Sequence, residues 1–153
     1  MSTKTDAVIA ALAATWQGLT ATTLADVQVV DGPQANSDAS PDWLFAGHDG
    51  GSPTDENEAA ITQQNLMAFA RTKGEDAEVR CAAIAVRGDT DIVSARQRAY
   101  AIVSAAEDAL RADMTLGGLV MHAYVSSHTY IPAQTDKGAK VRVVFTVTYK
   151  AQL

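Results

Sequence analysis

With 153 residues, 47% hydrophobic side chains and 4 prolines, the chain has the size of one domain with one ordinary core, and this composition excludes a disordered polymer. No apolar run approaches the roughly 20 residues of a membrane span, the opening MSTKTDAVIAALAATWQGL lacks a basic leader followed by a continuous apolar region, and a single cysteine permits neither an internal disulfide nor a cysteine-based structural metal site. The expectation is a soluble protein without a secretion signal, and its net charge of -6 and pI near 4.9 disfavour a surface that grips nucleic-acid phosphates.

Thr3 or Thr5 offers a cap for a first helix with Val8, Ile9, Leu12, Ala13 and Trp16 on one face. Val27 and Val29 then alternate with Gln28 and Val30 before Asp31, Gly32 and Pro33 turn the chain, which predicts a short strand. A polar stretch, Asn36 to Asp42, leads into a second strand, Trp43 to Ala46, stopped by Gly47. The segment HDGGSPTDENE, His48 to Glu58, has almost nothing to bury and reads as a mobile surface loop. Ala60 to Phe69, with its polar centre Thr62 to Asn65, suits an exposed or edge strand. Ala77 to Val86 is apolar on both faces, Val79, Cys81, Ala83 and Ala85 on one and Ala82, Ile84 and Val86 on the other, so it belongs in mid-sheet. The small residues Cys81 and Ala83 let a helix pack close, leaving Cys81 a buried, inert thiol.

That helix lies in the stretch Asp89 to Tyr124. Ile92, Ala95, Ala99, Ile102, Val103, Ala106 and Leu110 recur at steps of three or four and form one apolar stripe, with Glu107 four residues before Arg111 on the polar side. Asp89, Thr90 and Asp91 supply capping oxygens, and Gly117 and Gly118 supply the exit. Beyond it, Leu119 to Ile131 extends with Met121, Ala123 and Val125 on one face and His122, Tyr124, Ser126, His128 and Tyr130 on the other. After a loop from Pro132 to Gly138 the strand VRVVFTVTYKAQL returns, with Val141, Val143, Phe145, Val147 and Tyr149 inward. Helix, four strands, helix and two strands predict an α+β fold: a mostly antiparallel sheet of five to six strands packed by two helices, with a long C-terminal hairpin.

Groups that carry chemistry are sparse. His122 and His128 are separated by about 20 Å along a strand and cannot share one ion. Cys81 has no adjacent base, and GHDGG lacks the context of a phosphate-binding loop. No catalytic, cofactor or metal residue is assigned. The residues that suit contacts between proteins are His48, Asp49, Asp55, Glu56 and Glu58 of the acidic loop, His122, Tyr124, His128 and Tyr130 on one strand face, and Gln134, Thr135, Asp136 and Lys137 at the hairpin tip.

The run AEDALRADMTLGGLVMHAYV, followed by Gly138 and VRVVFTVTYKA, resembles the tail terminator (tail completion) proteins of long-tailed bacteriophages, especially those infecting actinobacteria. The likeness extends more loosely to VVDGPQ (Val29 to Gln34), the Trp43 to Gly47 strand and VRCAAIAVRGD ending at Asp89, while Ala60 to Phe69 departs from it. The resemblance implies a non-enzymatic virion protein without a cofactor, a hexameric ring at the head-proximal end of the tail. Such a ring stops growth of the tube and joins the tail to the head connector, its partners being the major tail tube protein and the connector or stopper protein. It would be assembled in the host cytoplasm, away from any membrane. DNA would pass through the ring without tight binding, past a wall with more carboxylates than basic groups. A tail tube subunit or a minor tail or neck component of related fold is the alternative.

Overall fold

The computed structural model describes residues 2–34, 41–66 and 72–153. The order is α1 (Thr5–Gln17), β1 (Val27–Asp31), β2 (Asp42–Ala46), β3 (Ala60–Leu66), β4 (Lys73–Arg87), α2 (Ile92–Ala112), β5 (His122–Thr135) and β6 (Gly138–Gln152). The expected α+β architecture is present: the described residues form six strands in one mostly antiparallel sheet, two helices and a C-terminal hairpin. Positions 36–40 of the predicted loop and 67–69 of the predicted edge strand lie outside the described residues.

The strand order is β1-β2-β4-β6-β5, with β3 also paired to β4. The long strand β4 explains this arrangement. Its residues Gly74 to Arg87 pair antiparallel with β6 along one edge, while the other edge is shared end to end, β3 taking Lys73 to Val79 and β2 taking Cys81 to Ala85. Only β1 and β2 run parallel. The sequence placed the start of β4 four residues late, at Ala77, because Lys73, Glu75 and Asp76 are charged. In the fold that polar start is needed, since alternation turns Glu75 to the helix side and Asp76 to the other.

Both helices cover one face. From α1, Val8, Leu12, Ala13 and Trp16 are buried, and from α2, Ala95, Ala99, Ile102, Val103, Ala106 and Leu110. They share one core with Val79, Cys81 and Ala83 of β4 and Val141 to Tyr149 of β6. Trp16 lies edge-on to Phe145, with ring centroids 5.7 Å apart, and donates its indole N–H to Ala106 O at 3.2 Å, so one side chain binds α1 to both α2 and the sheet. Asp91 caps α2 as expected, accepting from Ser94 N. At its other end the helix stops before the glycines, because the Asp113 carboxylate takes the Thr115 hydroxyl and the Gly117 and Thr115 N–H groups, which also hold its carboxyl below the usual range. The N-cap position of α1 is Lys4, whose side chain makes no cap bond, but Thr3 Oγ1 accepts from Thr5 N, the first N–H of the helix, at 3.2 Å. The Thr3 and Thr5 hydroxyls are also engaged by Glu75, Thr62 and Tyr149.

Cys81 is fully buried, and burial pushes its thiol up to about 12. A thiol reagent such as DTNB is expected to leave the folded protein unlabelled at pH 8 and to titrate one group once denaturant unfolds it. Labelling of the folded chain at the rate of the unfolded one would refute the packing of α2 on this face.

Candidate functional site

Among the described residues no helix lies on the opposite face of the sheet. At its β2 end Val30, Phe45, Ala82 and Ile84 form a small second cluster, with Trp43 stacked on Phe45. The chain after β2 folds back over it. His48 is buried, its ring tilted against Phe45 at 5.3 Å, and its Nδ1 accepts from Gly50 N. Gly50 lies so close to the sheet that an added Cβ would sit 3.0 Å from Ala82 and 3.1 Å from Arg142, and its φ is +74°, so packing and backbone together favour glycine here. Arg142 of β6 donates to the Asp49 carbonyl at 2.9 Å and stands 3.9 Å from its carboxylate. The first third of the predicted mobile loop is therefore part of the fold, and His48 is a packing residue. The apolar outer face of β2 and β4 was the signal for this cover, because such a face needs one. Asp55, Glu56 and Glu58 are exposed.

The predicted histidine and tyrosine face is divided in two. β5 pairs Val125 with Val147 but Ser127 with Thr146, so Ser126 is an extra residue, a bulge that moves every later side chain to the other face. The bulge is fixed by Ser126 Oγ, which bonds Thr148 Oγ1 at 2.7 Å. Before it, His122 and Tyr124 lie opposite Lys150 and Thr148 on the uncovered face. After it, His128 and Tyr130 lie opposite Phe145 and Val143 on the helix side. There Tyr130 meets Tyr100 of α2, with ring centroids 6.2 Å apart, and His128 Nε2 approaches Glu107 at 3.8 Å. Period-two counting cannot detect an inserted residue.

The hairpin also differs from the predicted loop. β5 continues through Pro132 to Thr135, and Asp136 and Lys137 alone make the turn. Thr135 Oγ1 donates to Gly138 O and accepts from Lys137 N, while Gln134 Nε2 donates to Asp89 O at 2.8 Å. Gln134, Asp136 and Lys137 are exposed on a braced turn rather than a loose loop.

Two polar clusters escaped the sequence reading. Asp42, nearly buried, receives Arg87 through both oxygens at 2.7 and 3.2 Å and Arg98 Nε at 3.1 Å, which ties β2 to β4 and α2. Glu75, fully buried, receives the Thr3 hydroxyl, Lys4 N, Gln64 Nε2 and the Tyr149 hydroxyl. Burial raises its pKa, but these four donors outweigh burial and hold the carboxyl below its ordinary value. Burial, reinforced by the neighbouring Glu75 carboxylate, pushes the Tyr149 hydroxyl up to about 12, so Tyr149 remains a donor. Above this cluster Thr3, Thr5, Ala60, Thr62 and Gln64 line a shallow open depression. Among the described residues no three His, Cys, Asp or Glu side chains converge as metal ligands would, and no helix is long and apolar enough to cross a membrane. Compared with known proteins, the sequence matches no family model and no curated protein.

Proposed function

We propose that this chain is a virion structural protein of the tail-terminator kind, which assembles into a ring that closes the tail tube, stops its growth and joins it to the head connector. The likeness of AEDALRADMTLGGLVMHAYV, Gly138 and VRVVFTVTYKA to that family supports this reading. So does the build of the subunit, and the observation that carries it is the unequal cover of the sheet: helices cover one face, while on the other residues 48–51 cover the β2 end of β4 and β6 and leave Glu78, Arg80, Tyr124, Ser127 and Thr129 exposed, beside a tight hairpin tip and a separate acidic loop. A ring needs heterologous contacts, in which one patch meets a different patch on the next copy. Further distinct patches are then left for the tube below and the connector above.

Charge supports the passage of DNA. Residues 1–60 hold nine Asp and Glu against one Lys, whereas residues 61–153 hold nine against eleven Lys and Arg. With its acidic part toward the channel, the ring repels phosphates and does not retain the duplex. The assembled protein is expected to elute from immobilised duplex DNA at physiological salt. Tight, salt-sensitive retention would reject this orientation.

Adding the purified protein to polymerising tube subunits tests the function. Tubes of arrested length capped at one end by this chain, together with overlong tubes when it is omitted, are the expected results. Growth of this chain alone into long tubes would instead make it a tube subunit, and tube lengths indifferent to its presence would end the reading.

A further inference from the structure

Three strands of the sheet have an edge with no strand partner among the described residues: β1, β3 and β5. Monomeric proteins guard such edges with charges, since an open edge pairs with other chains. Here β1 follows that rule, ending on Asp31 with Asp26 just before it. β3 (AITQQNL) and β5 (HAYVSSHTYIPAQT) break it: they alone among the six strands contain no Asp, Glu, Lys or Arg. Exposed large apolar side chains collect at the same two places. Ile61 and Leu66, the latter 76% exposed, belong to β3, while Met121, Tyr124 and Tyr130 lie on or beside β5 and Val93 and Tyr100 on α2, whose Tyr100 meets Tyr130. β3 and β5 lie on opposite sides of β4 and β6.

We infer that copies of this chain join head to tail by laying the open edge of β3 against the open edge of β5 on the next copy, which continues the sheet from subunit to subunit. Backbone groups on both edges gain partners, and the apolar side chains gathered there leave water. Electrostatics select this pairing, because a strand carrying a charge would bury it unpaired against an uncharged edge. The nine residues of β5 after the bulge are long enough for the seven of β3, with Pro132 withholding one donor. A symmetric β5 to β5 contact would leave Ile61 and Leu66 in water and close at two copies, whereas β3 to β5 leaves an edge at each end and can close a ring. This assignment rests on the ring reading and names the surfaces that build it.

Cross-linking distinguishes the two. Ile61→Cys, Gln63→Cys and Asn65→Cys place thiols on the uncovered face of β3, and Ser127→Cys, Thr129→Cys and Ile131→Cys do so on β5, with buried Cys81 silent. All pairwise mixtures would be treated with a short bismaleimide. Covalent product in mixtures of one β3 and one β5 variant, absent from each variant alone, is expected. Gln63→Lys or Thr129→Lys should weaken self-association at least roughly tenfold while far-UV circular dichroism is unchanged. Product from a β5 variant alone overturns the inference in favour of a symmetric dimer. A ring of normal size that yields no mixed product overturns the edge assignment and leaves the ring reading standing. A chain that stays monomeric at high concentration and never caps tubes removes both.

Discussion

Phe145→Ala is expected to destabilise the domain by about 3–5 kcal/mol, the usual cost of removing a fully buried large side chain from a core that cannot collapse around the hole. The site meets that condition. Phe145 is inaccessible at the centre of β6, paired with Cys81 of β4 on one side and His128 of β5 on the other. Trp16 stands edge-on to its ring, and that contact adds about 0.5–1.5 kcal/mol beyond burial. Removal therefore loosens α1, the sheet and α2 together, since Trp16 also bonds Ala106. Leu110→Ala, in the last turn of α2, should fall lower, at about 2–4 kcal/mol, because a helix end relaxes more readily than the middle of a sheet. Denaturant titration measures both. A loss under about 1 kcal/mol for Phe145→Ala, with unchanged slope, would contradict this packing.

What could be read from the sequence divides along a physical line. Where one face of an element is apolar at a fixed period, its environment follows from its own residues. The stripe Ala95, Ala99, Ile102, Val103, Ala106 and Leu110 and the alternation Val141 to Tyr149 both predicted their burial, and the small residues Cys81 and Ala83 predicted the close approach of α2. What was missed depends on distant partners or on a break in period. Ser126 adds one residue and so moves His128 and Tyr130 from the face of Tyr124 to that of Phe145. The GHDGG segment looked like a loop because it is polar, yet the apolar face of Phe45, Ala82 and Ile84 needed a cover and Gly50 could lie flat on it. Asp42 and Glu75 gave no local signal, since all their partners among the described residues but Gln64 lie 45 to 74 residues away. Of the proposed contact residues, His48 is withdrawn into the fold, the histidine and tyrosine set serves two faces, and Asp55, Glu56, Glu58, Gln134, Asp136 and Lys137 remain at the surface. The uncharged character of β3 and β5 was present in the sequence, but it acquires meaning only when the topology makes both of them edges.

Replacing Glu75 is the second large effect. Its carboxylate is where the segment before α1, the edge strand β3 and the end of β6 meet, through Thr3 and Lys4, Gln64 and Tyr149. Glu75→Ala removes the common acceptor and leaves four donors facing one another, two of them, the Lys4 N–H and the Tyr149 hydroxyl, bound to the same oxygen. Thr3 and Tyr149 keep the Thr5 hydroxyl as a partner and Gln64 keeps Ser2 O, which limits the penalty, so a loss of about 2–4 kcal/mol is expected rather than the full sum of four orphaned groups. The sign of the pH dependence follows from the lowered pKa. A carboxyl that ionises more readily folded than unfolded contributes its full stability above its unfolded value, near 4.5, and loses it as pH falls through the folded value. The wild-type protein should therefore lose stability below pH 4.5, and Glu75→Gln, similar in shape but uncharged, should be less stable near neutrality and flatter in that acid range. Denaturant midpoints between pH 3 and 7 decide the matter: parallel pH profiles for wild type and Glu75→Gln would mean that this carboxylate does not hold the segment before α1 and the β3 edge in place.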